Sequence, residues 1–274
     1  MKYKILYILL FAFIVSGCDK IEGPYRENPG EILSTVTIIE FTGIGCVNCP
    51  ERGHEIVHDF KVQFGDKIQT VSIHGNEFGT PINDFYLRTE EGQELNSNLQ
   101  VEGLPKGLVS SLTPQAVNVP SALAEDIAKA GGRIPELNLN VEMTIDGNEA
   151  VLNIIGEFEK IINENYGELY IVAYLMQNSI IGPQKDTRGD HEKYAHMHAL
   201  RKPFNGTFGK LYVKNPTGGM VIDEINYSLS LTYDESNIIF ADGETVADIE
   251  LEPLVFVYDN NTKELIPCTI NYNF

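Results

Sequence analysis

The chain has 274 residues, no tryptophan, and a formal charge of −19 at neutral pH, with 20 basic side chains against 39 acidic ones. Such an acidic chain has no electrostatic grip on nucleic acid or on an anionic lipid surface, so neither is an expected partner. Its length is enough for two domains with cores of their own.

At the amino end, Lys2 and Lys4 precede an apolar run from Ile5 to Val15, and Val15-Ser16-Gly17-Cys18 closes it. The run is too short to span a bilayer and suits an export signal over residues 1–17. Its ending resembles the lipobox of bacterial lipoproteins, in which the cysteine is lipidated and becomes the mature N-terminus. That resemblance makes Cys18 the lipidation site and implies a cell-envelope protein held to a lipid bilayer by its acyl chains. Removal of Lys2 and Lys4 with the signal leaves 18 basic against 39 acidic residues, a charge of −21. Residues 18–33, with two prolines and two glycines, read as a tether between lipid and fold.

Ser34 to Thr42 is β-branched and apolar and predicts a buried strand. Cys46-Val47-Asn48-Cys49-Pro50 follows, and apolar residues at helical spacing predict a helix over 46–64. Ile68 to His74 predicts a second buried strand and 75–81 a loop, while 82–99 predicts a polar helix laid over the fold. A short strand from Leu108 to Ser111 after Pro105 and a helix over 121–130 complete a β-α-β-α-β-α order, which predicts an α/β domain over 34–133. Near Ile134-Pro135 the pattern changes. Leu137, Leu139, Val141, Met143 and Ile145 alternate, Gly147-Asn148 turns, and Ala150, Leu152 and Ile154 resume the alternation. With strands over 169–176, 225–233, 254–258 and 265–272, the remainder, 134–274, predicts an antiparallel β-sandwich. The stretch 177–222 breaks this rhythm and reads as a long excursion, within which Tyr194 to Arg201 looks suited to docking the two domains.

A Cys-x-x-Cys placed where a strand ends and a helix begins is the pattern of a thioredoxin-like redox site. The free N–H groups and dipole of the helix favour a thiolate there, which makes Cys46 the nucleophile and Cys49 the resolving thiol. Outside the cytoplasm the pair can persist as a disulfide. Glu40 lies six residues before Cys46, on the strand that delivers it. The chain resembles thioredoxins here: an acidic residue at that spacing takes a proton from the second cysteine, and Pro105 looks like the cis-proline that faces the pair. The resemblance implies that Glu40 is a proton acceptor and that the Leu104-Pro105 backbone meets an extended substrate. Gly45, Val47-Asn48 and Glu40 depart from it, standing where thioredoxins carry tryptophan, Gly-Pro and aspartate.

Over its mature length the chain resembles the Bacteroidetes outer-membrane lipoproteins related to outer membrane protein 28. The residues that carry this are Glu40 to Pro50, the Gly103-Leu104-Pro105 step and the β-rich second half. The resemblance implies a thioredoxin-like domain joined to an immunoglobulin-like domain, at the outer membrane, and implies no substrate. The expected chemistry is thiol–disulfide exchange with protein thiols or disulfides as partners, and no cofactor. The alternative is a binding or adhesion lipoprotein in which Cys46 and Cys49 form a static disulfide.

Three other signals compete. His54-Glu55-Ile56-Val57-His58 matches the H-E-x-x-H of zinc proteases. On a regular helix, however, His54 and His58 point well over 90° from the face shared by Ile56, Val57 and Phe60, with Cys46 and Cys49 on that face. The two pairs share one zinc only if the helix breaks at Pro50, so no metal is expected. Arg188-Gly189-Asp190, followed by His191, His196 and His198, reads as an exposed polar loop. Cys268, the cysteine left over, reads as a buried, unreactive thiol on the last strand.

Overall fold

VTIIEFT and IQTVSIH form the centre of the main sheet as β1 (Val36–Thr42) and β2 (Ile68–His74), each buried along its whole length. They run parallel, from Val36 opposite Ile68 to Thr42 opposite His74. Antiparallel β3 (Lys106–Val109) lies on the far side of β1, with Glu40 opposite Gly107. The structure is a computed structural model that describes residues 31–75, 81–158, 166–213, 225–233, 238–239 and 248–273. The expected signal over 1–17, the lipidation site Cys18 and most of the tether lie outside these residues. No helix among the described residues is long and apolar enough to cross a membrane.

Among the described residues three α-helices follow in chain order: α1 (Glu55–Phe64), α2 (Glu90–Asn98) and α3 (Ala124–Gly131). Alternation along β1 sends Val36 and Ile38 to one face, where Val57 and Phe60 of α1 and Ile127 of α3 cover them. Ile39 and Phe41 go to the other face and meet Leu95 of α2. Each fully buried side chain of this kind contributes about 1.5–3 kcal/mol.

The helix predicted over 46–64 begins later. Cys46 sits in a turn, its N–H bonded to the Gly43 carbonyl, and Pro50–His54 forms a wide π-helical turn before α1, with the Glu55 N–H reaching back to the Pro50 carbonyl. The helix predicted over 82–99 forms only from Glu90, because Asn83 and Asp84 take positive φ and the Thr89 hydroxyl caps the start by accepting from the Gly92 N–H.

In the second half, β4 (Leu137–Asp146) and β5 (Glu149–Phe158) form the expected hairpin, turning at Gly147 with φ +59°. Then come β6 (Leu169–Asn178), β7 (Ile180–Gln184), β8 (His191–His196), β9 (Ala199–Pro203), β10 (Lys210–Val213), β11 (Ile225–Thr232), β12 (Glu250–Asp259) and β13 (Cys268–Asn273). β11, β5, β4 and β13 make a four-stranded sheet in that order, with β13 parallel to β4. The others do not stay apart from the first half. β9 pairs with β2 at Ser72–Ala199, β6 pairs with β9, and β10 and β12 flank β6, so the main sheet has seven strands drawn from both sides of residue 134.

This differs from the expected pair of separate domains and from a free-standing immunoglobulin-like sandwich. The sandwich that forms lies between the four-stranded sheet and the β6–β12 end of the shared sheet. Leu137, Leu152 and Ile154 pack there on Ile171, Leu175 and Val257. The stretch 177–222 is not an excursion outside the fold, since it supplies β9 and β10 to the sheet and the β7–β8 hairpin beside the cysteines. Tyr194 to Arg201, expected to dock the halves, carries the start of β9.

Candidate functional site

β1 ends in Thr42, and the turn after it carries Cys46 and Cys49, which are joined in a disulfide. The Leu104–Pro105 peptide is cis, preceded by Gly103 at φ +71°, and leads directly into β3, the antiparallel neighbour of β1. Glu40 of β1 and Pro105 before β3 meet at Gly53 of the π-helical turn, which follows the cysteine pair directly.

Glu40 belongs to the face of β1 that looks toward α1, where Val36 and Ile38 are its apolar neighbours, and it is wholly buried. One carboxylate oxygen, Oε2, accepts from the Ser72 hydroxyl at 3.0 Å, a contact made by the parallel register that sets Glu40 beside Ser72. Oε1 has no hydrogen-bond partner. A buried acceptor left in this way is destabilising.

Gly53 makes the approach possible. A Cβ at that position would lie 2.8 Å from Pro105 Cβ and 3.0 Å from Glu40 Oε1. The helix start therefore rests directly on the cis-proline and the carboxylate. The sequence reading missed Gly53, although a lone glycine inside a helical pattern is a recognised sign of close packing.

The placement of His54 corrects the prediction that it points away from the cysteines. The π-helical turn inserts one residue between the cysteine pair and α1, which shifts their relative phase by about 100°. His54 then lies with Nδ1 3.9 Å from Glu40 Oε2 and lines the same small cavity as Cys49. Burial opposes a charge on its ring, but the Glu40 carboxylate, with Glu55 adding to it, prevails and raises its pKa above the ordinary histidine value. His58 is exposed and stacks on His54 at 6.3 Å. Among the described residues, no group of three or more His, Cys, Asp or Glu side chains is arranged to hold a metal ion.

The cavity is also lined by Ser72, His74, Tyr194 and His196, and has about 10 Å³ open to the centre of a water molecule. That is about the room one water needs. His74 and His196 are buried and pack edge to face at 5.6 Å, and His74 Nδ1 and His196 Nε2 have no partner. Burial depresses both pKa values, with the His196 charge adding to the effect on His74; His196 falls to about 4. Both rings are neutral at ordinary pH.

Neither cysteine faces solvent. Cys46 is 4% exposed and Cys49 1%, whereas Val47 between them is 42% exposed. The β7–β8 hairpin covers the pair. Gln184 Nε2 donates to the Gly43 and Cys46 carbonyls at 3.2 Å each, and the Lys185 N–H donates to the Ile44 carbonyl at 2.9 Å. Beyond it, Arg188 bridges Asp186 at 2.7 Å and Glu55 at 2.8 Å, and the Thr187 hydroxyl donates to Glu51 at 2.9 Å. The Arg188 hydrogen bonds hold the Asp186 carboxyl far below the usual range, against its burial, with His191 and Thr187 helping. Arg188-Gly189-Asp190 is therefore half tied down, its arginine engaged with the cover and with α1. His198 pairs with Glu252 at 2.5 Å, away from the cysteines. Cys268 is buried, and burial pushes its thiol up to about 12.

No protein-family model and no curated protein sequence matches the chain. Among solved structures, the fold is similar to that of HBP35 of Porphyromonas gingivalis, with 16% identity and a TM-score of 0.59 over 88% of this chain and 74% of that one. A domain of the outer membrane lipoprotein Omp28 from Porphyromonas gingivalis aligns with 52% of this chain and 93% of its own length, with 16% identity and a TM-score of 0.29. At 16% identity the likeness to HBP35 is one of fold, extending over most of both chains.

Proposed function

We propose that the chain is an envelope lipoprotein, anchored at the outer membrane through Cys18, that carries out thiol–disulfide exchange on exported proteins. The reading also takes it as a relative of the Bacteroidetes lipoproteins that its motifs resemble, with an immunoglobulin-like second half. The single observation that carries the chemistry is the buried Glu40 carboxylate, set against Gly53 and the cis-proline with one oxygen unpartnered. In the reduced protein Cys46 attacks a partner disulfide as thiolate, forming a mixed disulfide and releasing one partner thiolate. Cys49 gives its proton to Glu40 and attacks the Cys46 sulfur, which closes the internal disulfide and releases the second thiolate. Two electrons pass from the dithiol to the partner, so no cofactor is needed. Val47 and Asn48, exposed between the cysteines, mark the side from which a partner arrives.

The experiment is a Cys49→Ala variant expressed in an envelope where exported disulfide proteins are present. Mixed disulfides on Cys46, reversible by reductant, are the expected result. Their absence, with Cys46 shown to be free, overturns the reading. A second reading has its own observation: both sulfurs lie under the Gln184 cover. In that reading the pair is a fixed disulfide in a binding lipoprotein. A pair that stays oxidised under strong reductant supports it.

A further inference from the structure

The proposed exchange leaves a proton on a carboxylate with no surface of its own. Glu40 is fully buried, and around it stand the Ser72 hydroxyl, the Gly53 backbone and the Pro105 ring. Among the described residues, the ionisable side chain in ion-pair reach of it is His54, at 3.9 Å. His54 meets three requirements at once. Its ring lines the cavity shared with Cys49 and Ser72, its Nδ1 faces Glu40, and its side chain keeps 22% exposure to solvent.

We propose that His54 is the proton outlet of the site: it takes from Glu40 the proton that Cys49 gives up and passes it to solvent. This inference rests on the exchange reading above. His54 does not touch the sulfurs, so it is a positioning and relay residue acting through Glu40. With glutathione disulfide as partner, Cys46 forms a mixed disulfide and one glutathione thiolate leaves. The Cys49 S–H bond breaks and its proton goes to Glu40. The Cys49 thiolate attacks Cys46 Sγ, the Cys46–Cys49 bond forms, and the second glutathione thiolate leaves. The proton moves from the Glu40 carboxyl to the His54 imidazole and then to water. The dithiol is oxidised by two electrons and glutathione disulfide is reduced by two.

An imidazole suits the task, because its basicity lies between those of a carboxylate and a thiolate. The groups that face it set its charge. Glu40 from β1 and Glu55 on its own helix favour the imidazolium. His58 stacks above it and Tyr194 of β8 meets it edge to face at 6.1 Å. His74 of β2 and His196 of β8 repel a charge on it only when charged themselves, and burial keeps both neutral. A wide helical turn at this point has a purpose in this account, as such turns often do at working sites.

The test mixes the reduced full-length protein with glutathione disulfide, quenches in acid, and separates by mass the glutathione adduct from the closed disulfide. In wild type the closing rate rises with pH as His54 loses its proton and becomes able to accept another. In His54→Ala the adduct forms at the normal rate, closing falls by about a hundredfold, the histidine step vanishes from the pH profile, and added imidazole restores the rate. His54→Gln, which keeps the bulk, reproduces the loss and guards against a folding defect. Closing at the wild-type rate in both variants overturns the relay. So does a slow variant that keeps the pH step and ignores imidazole, since that marks a packing role. If Glu40→Gln closes slowly while the His54 variants do not, the relay falls and the exchange reading stands. If the wild-type chain forms no adduct at all, the exchange reading falls and takes the relay with it.

Discussion

Replacing Gly53 by alanine sets two effects of opposite sign against each other. At an open helix position the change stabilises, by about 1 kcal/mol from helix propensity. Here the new Cβ meets Pro105 Cβ at 2.8 Å, a ring fixed by the cis peptide, and Glu40 Oε1 at 3.0 Å. Neither neighbour is the loose end of a surface side chain, so the helix start must lift. Overpacking of this kind costs about 1–3 kcal/mol. With the propensity gain subtracted, Gly53→Ala is expected to destabilise by up to about 2 kcal/mol, lowering Tm by up to about 8 °C at about 2–4 °C per kcal/mol for a chain of this size. Thermal unfolding of the oxidised protein followed by circular dichroism measures this. A Tm above that of wild type refutes the close packing of Gly53 on Glu40 and Pro105.

Gln184→Ala removes one of two donors from each of the Gly43 and Cys46 carbonyls, which keep the Cys46 and Cys49 N–H groups; at about 0.5–1.5 kcal/mol for each lost bond it should speed reduction of the disulfide by at least about fivefold in a thiol-release assay. Asp186 is held ionised in the fold, so its contribution is full above the ordinary aspartate pKa and is lost as pH falls below about 4. Urea midpoints of Asp186→Asn should therefore lie below wild type near neutrality and converge on it in acid. His196 is held neutral with a folded pKa of about 4, so the unfolded chain binds its proton first and stability should decline as pH drops from about 6.5 toward that value. His196→Phe should flatten that part of the urea profile. Cys268, with its thiol pushed up to about 12, should resist iodoacetamide in the native protein and react only on unfolding.

The Cys46–Cys49 disulfide, the buried Glu40 and the cis-proline lie where the sequence places them because each carries a local mark. The motif sits at a strand end, Glu40 lies a fixed distance before it, and a proline opens a later strand. The direction of His54 was not legible, because spacing at 3.6 residues per turn from Cys46 turns it away and Pro50 begins a wider turn that resets the phase. The boundary near residue 134 was misread for a different reason. The alternating pattern of β4 and β5 belongs to strands with one wet face. LYIVAYLM in β6 and PLVFVY in β12 are nearly continuous apolar runs, buried on both faces. Such strands need cover on two sides, which a two-sheet sandwich does not supply and the shared sheet does. The pairing of Ser72 with Ala199 left no mark in either segment, since register across 127 residues is a property of the assembled sheet.

The cover over the cysteines also sets an order of events in time. Gln184 stands 138 residues beyond Cys46, whose carbonyl it holds. Under the export proposed above the amino end leads, so Cys46 and Cys49 would reach an oxidising compartment well before the segment that shields them. The pair therefore meets oxidant while it is still open, and the hairpin arrives over a bond already made. A chain ending before Ile180 would keep its cysteines permanently accessible and leave β2 as a bare apolar edge, open to pairing with a second molecule.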